Sequence, residues 1–302
     1  MLKKIERTGT FDNIKTSNKP KALTGREKRF LFRAVFGNPA LTSSQLCTKL
    51  SEFSPGKSFA ASTIRRYCFK GGYKSFVSRK KPILTKPMIL KRLNWCKEYI
   101  KKDHKFWDSV IFSDECKIEC INYNGQHRVR RTSFSNPYLP KYLRPRVKHP
   151  QSLMIWGCFC SKGTGRLYFC DGKMNSDDYI NVLESKLVPT AQHFFKGEPY
   201  VFQDDSAPIH RSQKTRKWIA EHNIEALPWP SNSPDLNPIE NIWKILKNKV
   251  GQKRPTNAKQ LKKSIVEVWR NEISSELCQS LVSSMNRRCN DVIKNNGGHT
   301  KY

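Results

Sequence analysis

Three stretches of the chain each deliver a carboxylate at a place where the backbone is about to change direction. "SVIFSDE" (109–115) and "YVFQDD" (200–205) are apolar runs of strand length that stop at Asp114 and at Asp204 or Asp205. "PWPSNSPDLNPIENIWKILKNK" (228–249) passes proline breaks and then starts a helix with Glu240 in its first turn. In a sheet covered on both faces, strand ends and helix starts converge on one crevice. Three acids gathered there repel one another unless a cation neutralises them. Mg2+ (or Mn2+) suits such a site, because it takes hard oxygen ligands and keeps positions for water and phosphate. Two such ions activate a water and stabilise a leaving oxygen, the chemistry of phosphodiester cleavage and nucleotidyl transfer. Plainer explanations stand beside this one. Strand-end acids are commonly just solvated. Glu240 also has a capping role open to it, with Asn237 as N-cap, Pro238 at the first helical position and Glu240 at the third. The apolar stripe of that helix, Ile239, Trp243, Leu246 and Val250, leaves Glu240 to one side with Lys244 and Lys247.

Charge indicates what those acids would meet. The 302 residues carry 56 Lys plus Arg against 25 Asp plus Glu, a formal net charge of +31. Such an excess calls for an anionic partner, and a nucleic-acid backbone is the default. No run of ~18 apolar residues is present to span a membrane, and "MLKKIERTGTFDN" lacks the apolar core of a secretory signal. The ten cysteines are read as thiols in a reducing compartment. None forms a Cys-x-x-Cys pair or a zinc-finger spacing. Cys158 and Cys160 would share one face of a strand, which makes a metal site conceivable and buried apolar thiols the simpler reading.

The elements that must position these groups fall into two textures. Residues 24–72 read as three short helices. Thr24 with Glu27 and Thr42 with Gln45 form capping boxes. Phe30, Leu31, Ala34 and Val35, then Leu46 and Leu50, then Ile64, Tyr67 and Cys68 recur at helical spacing. Gly71 and Gly72 stop the third helix. This pattern fits a helix-turn-helix as well as a generic three-helix bundle, and the basicity favours DNA. Ser62, Thr63, Arg65 and Arg66 would then face phosphates and base edges from the third helix. Residues 1–23 read as a basic arm. Residues 73–105 read as a basic, mostly helical linker, whose "SRKKPILTK" suits a nuclear-import signal and so a nuclear location. From 106 to 302 the texture is α/β. "LMIWGCFC" (153–160) and "RLYFCDG" (166–172) read as strands. "NSDDYINVLESKLVPTAQHFF" (175–195), the region around 212–221 and residues 257–294 read as helices. Strands first and alternating helices later give a mixed sheet flanked by helices.

"VIFSDECK", "VFQDDSAPIH", "WPSNSPDLNPIENIWKILK" and the closing "GGHTKY", in this order, resemble the Tc/mariner superfamily of cut-and-paste DNA transposases over roughly residues 18 to 302. The resemblance implies an RNase H-like catalytic domain. It implies metal-dependent hydrolysis at transposon ends, attack of a 3′ hydroxyl on target DNA at TA, and action as a homodimer. It assigns the catalytic, metal-holding acids to Asp114, Asp205 and Glu240. Asp205 is preferred to Asp204 because the family's aspartate stands three residues before a proline, here Pro208, and 34 residues separate it from Glu240. The family also carries paired helix-turn-helix units joined by a minor-groove Gly-Arg-Pro-Arg element. "NKPK" (18–21) looks like that element, with Lys19 and Lys21 for the arginines, and residues 24–72 match the second unit. The first unit is not found ahead of Asn18, so weak discrimination of DNA ends is expected. The basic stretch 127–150 corresponds to a loop reaching a partner subunit or DNA. His210 could orient a phosphate or an acid, or be an ordinary surface histidine. Two other classes fit parts of the pattern: a transposase-derived DNA-binding protein that no longer cuts, and a standalone metal nuclease.

Overall fold

A computed structural model describes residues 22–78, 81–120, 134, 136, 138, 139 and 150–302. The chain divides into two compact units, Met1–Lys80 and Lys81–Tyr302. Lys19 and Lys21, most of the basic arm and nearly all of the 127–150 stretch lie outside the described residues.

The smaller unit has three helices: α1 (Gly25–Gly37), α2 (Ser43–Phe53) and α3 (Ala61–Lys70). Both capping boxes are present. The Thr24 hydroxyl accepts from Glu27 N while the Glu27 carboxylate accepts from Thr24 N, and Thr42 and Gln45 do the same. These bonds satisfy amide hydrogens that a helix start leaves without partners. Leu23, Leu31, Leu46, Leu50 and Ile64 make the core between the helices. Glu27 is buried against that core and ion-paired to Lys57 at 2.8 Å. The pair, with Thr24, holds its carboxyl down at about 2.

The larger unit is built on a mixed sheet of β1 (Val110–Glu119), β2 (Ser152–Cys160), β3 (Gly163–Thr164), β4 (Tyr168–Cys170), β5 (Val201–Gln203) and β6 (Glu225–Ala226). The order is β3-β2-β1-β5-β6, with β4 also on β2. β1 and β2 run antiparallel, whereas β5 lies parallel to β1 and β6 parallel to β5. Side chains of a strand alternate between faces, and the two cores follow that alternation. Val110, Phe112, Cys116 and Ile118 of β1, with Ile155 and Phe159 of β2, enter one core. Ile111, Trp156, Cys158 and Cys160 enter the other. The first core is closed by α4 (Lys86–Tyr99), α9 (Ile239–Gln252), α10 (Ala258–Asn271), α11 (Ser275–Val282) and α12 (Met285–Lys294). The second is closed by α8 (Gln213–Glu221) and by one helical run that passes from α6 (Ser176–Val182) through a π turn (Leu183–Leu187) into α7 (Val188–Phe195). The short α5 (His104–Asp108) leads into β1. All ten cysteines are free, and Cys158 and Cys160 are buried. Among the described residues no helix is long and apolar enough to cross a membrane.

Two sequence expectations need correction. Residues 81–105 are no linker. α4 sends Trp95, Cys96 and Tyr99 into the first core. Its Arg92 is fully buried, with Nη1 and Nη2 each donating to an Asp235 carboxylate oxygen at 2.8 Å. Nor does β1 end at Asp114. It continues to Glu119, with Asp114 opposite Gly157, because Cys116 and Ile118 keep the period-2 burial going past the polar residues.

Candidate active site

The place of Asp114 follows from register. β5 pairs with β1 only over Val110 to Phe112, so the sheet is one strand narrower where Asp114 emerges, and the chain leaving β5 carries Asp204 and Asp205 to that step. Asp114 is in phase with Phe112 and Cys116, so it points to the face on which α9 packs. Glu115 points to the other face, where His210 lies.

Three polar bonds hold this corner together. The Ser113 hydroxyl donates to Gln203 O at 2.8 Å, and the Ser113 amide donates to Gln203 Oε1 at 3.3 Å. Asn237 Nδ2 donates to Ser113 O at 3.2 Å. The strand with Asp114, the strand before Asp205 and the loop before Glu240 are thereby tied to one another. Asp114, Asp205 and Glu240 together line one cavity of about 380 Å3, along with Trp229, Ser231 and Pro234.

α9 begins one residue later than the sequence suggested, and Asn237 Oδ1 accepts from Ile239 N at 3.3 Å. Pro238 takes the N-cap position and there is no side-chain cap. The Asn237 side chain is spent on Ser113 and on Ile239 N. Glu240 therefore stands one residue nearer the helix start than a capping box needs, and among the described residues its carboxylate accepts no hydrogen bond. Burial pushes its pKa up, against the pull of Lys247 and Lys81. Asp114 is pushed well above the ordinary carboxylate range, first by burial and then by the charge of Glu240 and Glu115. Burial raises both acids, and Glu240 raises Asp114 further, so a cation at this site would be stabilised by their ionised forms.

Asp114 is oriented by a residue the sequence reading placed only in an apolar stripe. Trp243 Nε1 donates to Asp114 Oδ2 at 3.1 Å. The Trp243 ring stacks on Trp269 at 5.3 Å, and Trp269 Nε1 donates to Gly165 O. Gly157 makes room for the pair, since a Cβ there would meet Trp243 Cη2 at 2.8 Å.

Asp205 is fixed differently. Its Oδ1 accepts from Ala207 N at 2.8 Å and lies 2.8 Å from His210 Nδ1. His210 is buried rather than a surface histidine. It stacks on Tyr179 at 4.1 Å, and its Nε2 is 3.4 Å from Glu115. Burial works against its charged form, but Asp205 and Glu115 outweigh that and lift it to about 9. In return Asp205, though burial opposes ionisation, is held below the usual range by His210. Asp204 turns away, its Oδ1 accepting from Ser206 N at 2.7 Å and sitting 3.5 Å from Arg211. Ser206 adopts φ 65° to allow this turn, a conformation concentrated at functional sites.

Among the described residues, Asp204, Asp205 and His210 form the one set of three whose ligand atoms all lie within 4.8 Å of one another. A protonated imidazole already paired to two acids repels a cation, so that set reads as an ion-pair cluster. Asp114, Asp205 and Glu240 are spread more widely around their cavity and offer only hard oxygens, a donor set that fits divalent cations. Of the expected DNA contacts, Ser62, Arg65 and Arg66 are exposed on α3 and Thr63 is half-buried.

The DDE superfamily endonuclease family matches residues 109–262, and a helix-turn-helix transposase family matches residues 28–101. The Tc1 transposase of Caenorhabditis elegans is 34% identical over 276 residues, 91% of this chain and 99% of that protein. The Tc3 transposase of the same organism is 32% identical over 295 residues, 97% of this chain and 86% of that one. The fold is also similar to the mariner Mos1 paired-end complex with Mg, at a TM-score of 0.76 and 19% identity, covering 99% of this chain and 86% of that chain.

Proposed function

The chain belongs to the Tc1/mariner transposases, and we propose that Asp114, Asp205 and Glu240 are the carboxylates with which it holds the divalent metal of its DNA chemistry. One observation carries the assignment. Acids from β1, from the exit of β5 and from the start of α9 line a single cavity, and there burial, followed by the charges of Glu240 and Glu115, raises the pKa of Asp114. Mg2+ or Mn2+ matches the all-oxygen donor set; solved Mos1 paired-end complexes contain one or the other.

A bound cation supplies charge neutralisation and an activated oxygen nucleophile for in-line attack at a phosphodiester. The chain's own residues supply the rest. Trp243 sets the rotamer of Asp114, and His210 keeps Asp205 ionised and turned into the cavity. Ser113, Gln203 and Asn237 hold the three backbone segments in register. The reaction is cut-and-paste transposition: hydrolysis at a transposon end, then attack of the freed 3′ hydroxyl on target DNA. α3, with exposed Ser62, Arg65 and Arg66 and half-buried Thr63, reads the double-stranded DNA of the ends. Mos1 transposase assembles as a paired-end complex, which supports a homodimer here.

The test is cleavage of a duplex carrying the element's own ends in Mg2+. Asp114→Asn, Asp205→Asn and Glu240→Gln should each abolish cleavage and leave DNA binding near normal, and Asp204→Asn should retain cleavage. Cleavage by the Asp205→Asn protein together with loss in Asp204→Asn would overturn the choice of aspartate.

A further inference from the structure

Next to the acid-lined cavity lies a second hollow of about 330 Å3, which shares Ser206 and Trp229 with it. Its charge is opposite. Lys91 of α4, Arg211, and Arg216 of α8 line it, and no acid does. Arg211 is pre-positioned, its Nη2 donating to Ser206 Oγ at 2.5 Å and lying 3.5 Å from Asp204. Lys91 and Arg216 are exposed and form no ion pair among the described residues. Trp229, Pro228 and Pro230 give the hollow stiff walls.

A polyanion approaching three carboxylates meets repulsion at the point where it must react. Coulomb energy falls with distance, so the phosphates next to the reacting one need cations within the same few ångströms. The shared wall of Ser206 and Trp229 sets the basic hollow directly beside the acid cavity. We propose that this hollow is a subsite for the DNA strand running past the acid cavity, with Lys91 and Arg216 taking a backbone phosphate that flanks the scissile phosphodiester. The inference rests on the acid cavity being the cleavage centre. It adds a substrate interaction that the acids cannot make.

On a chain of net charge +31, removal of any two cations weakens DNA binding, so the test needs a matched control and a position on the DNA. The full chain is assayed on a duplex carrying the terminal repeat of its own element, in Mg2+. Lys91→Ala/Arg216→Ala is compared with Lys259→Ala/Lys263→Ala, an exposed pair on α10 that lines neither hollow. Without charge-assisted hydrogen bonds to that one phosphate, the half-saturating DNA concentration for cleavage should rise about 10-fold or more beyond the control. Arg216→Lys alone should stay near wild type. Duplexes in which single phosphates around the cleavage site are replaced by neutral methylphosphonates then locate the interaction. At one position the wild-type chain should lose the same factor, and the double variant should lose nothing further. The inference is overturned if the two double variants behave alike, or if every methylphosphonate weakens them equally. Failure of the cleavage-centre reading looks different, because Asp114→Asn would then still cut. Tryptophan-fluorescence melts of each variant confirm that the fold is kept.

Discussion

Asp235 is the place to test how the acid cavity is held. Its carboxylate takes two hydrogen bonds from Arg92 at 2.8 Å and two more at 3.0 Å from the amide and hydroxyl of Thr300. Both side chains of the ion pair are 0% exposed. Asp235→Asn keeps size and shape, yet leaves the Arg92 guanidinium buried without its counter-charge. Breaking a buried pair from one side costs about 3–5 kcal/mol, a large share of the ~5–15 kcal/mol that stabilises a domain. For a unit of this size the melting temperature should fall by roughly 10 °C. All seven tryptophans lie between residues 95 and 269, so tryptophan fluorescence during urea or thermal unfolding reads the larger unit alone. Arg92→Leu/Asp235→Leu should recover much of the loss, because it removes both charges together. The sign with pH is fixed too. Burial opposes ionisation of Asp235, but Arg92 and Thr300 win and hold it below 3.8. Its contribution is therefore present above 3.8 and is lost as pH falls through the lower folded value. A loss under ~1 kcal/mol in Asp235→Asn would refute the reasoning, since an uncompensated buried guanidinium cannot be that cheap.

Trp243→Phe removes the donor to Asp114 and keeps a ring against Trp269; Mn2+ affinity measured by calorimetry should drop ~10–100-fold, as for other groups that orient metal ligands, with DNA binding unchanged. Equal Mn2+ affinity would remove Trp243 from that role. In the smaller unit, Glu27 sits at about 2 against an ordinary 4.5, so its contribution is full above 4.5 and fades as pH falls toward 2. Because Lys57 is half exposed, that contribution is discounted to ~1–2 kcal/mol; amide exchange across 24–72 should accelerate on acidification in wild type and show a smaller pH response in Glu27→Gln. Arg65→Ala and Arg66→Ala should each lower affinity for end DNA, and each phosphate left without its cation should make the salt dependence shallower by about 1 in log–log slope; an unchanged slope in both would take α3 off the DNA.

Local rules made parts of this molecule legible and missed others for identifiable reasons. Thr24, Glu27, Thr42 and Gln45 announce two helix starts because capping chemistry acts over three residues. Asn237 obeys the same local rule through its Oδ1, which accepts from Ile239 N, but its Nδ2 also reaches a carbonyl 124 residues away, which no local rule foresees. The reading of 73–105 as a linker followed its basic composition. What it lacked was the partner of Arg92, which lies 143 residues on. Asp114 looked like a strand end because the apolar run stops, although Cys116 and Ile118 at period 2 already carried the continuation. Trp243 is indistinguishable from a core residue by spacing, and only the fold shows which atom its indole nitrogen reaches.

The four bonds on Asp235 also order events in time. The carboxylate joins residue 92 to residue 300, and Arg288 adds a bond from Nη1 to the Asp235 carbonyl at 2.9 Å and one from Nη2 to Asn241 beside Glu240. Gly297, at φ 84°, turns the segment inward to Arg92, which donates to its carbonyl at 3.0 Å. A growing chain folds its N-terminal parts first, so the three-helix unit is complete while this knot still lacks a strand of its rope. A chain interrupted before Thr300 would therefore keep its three-helix unit and lack two of the four bonds on Asp235.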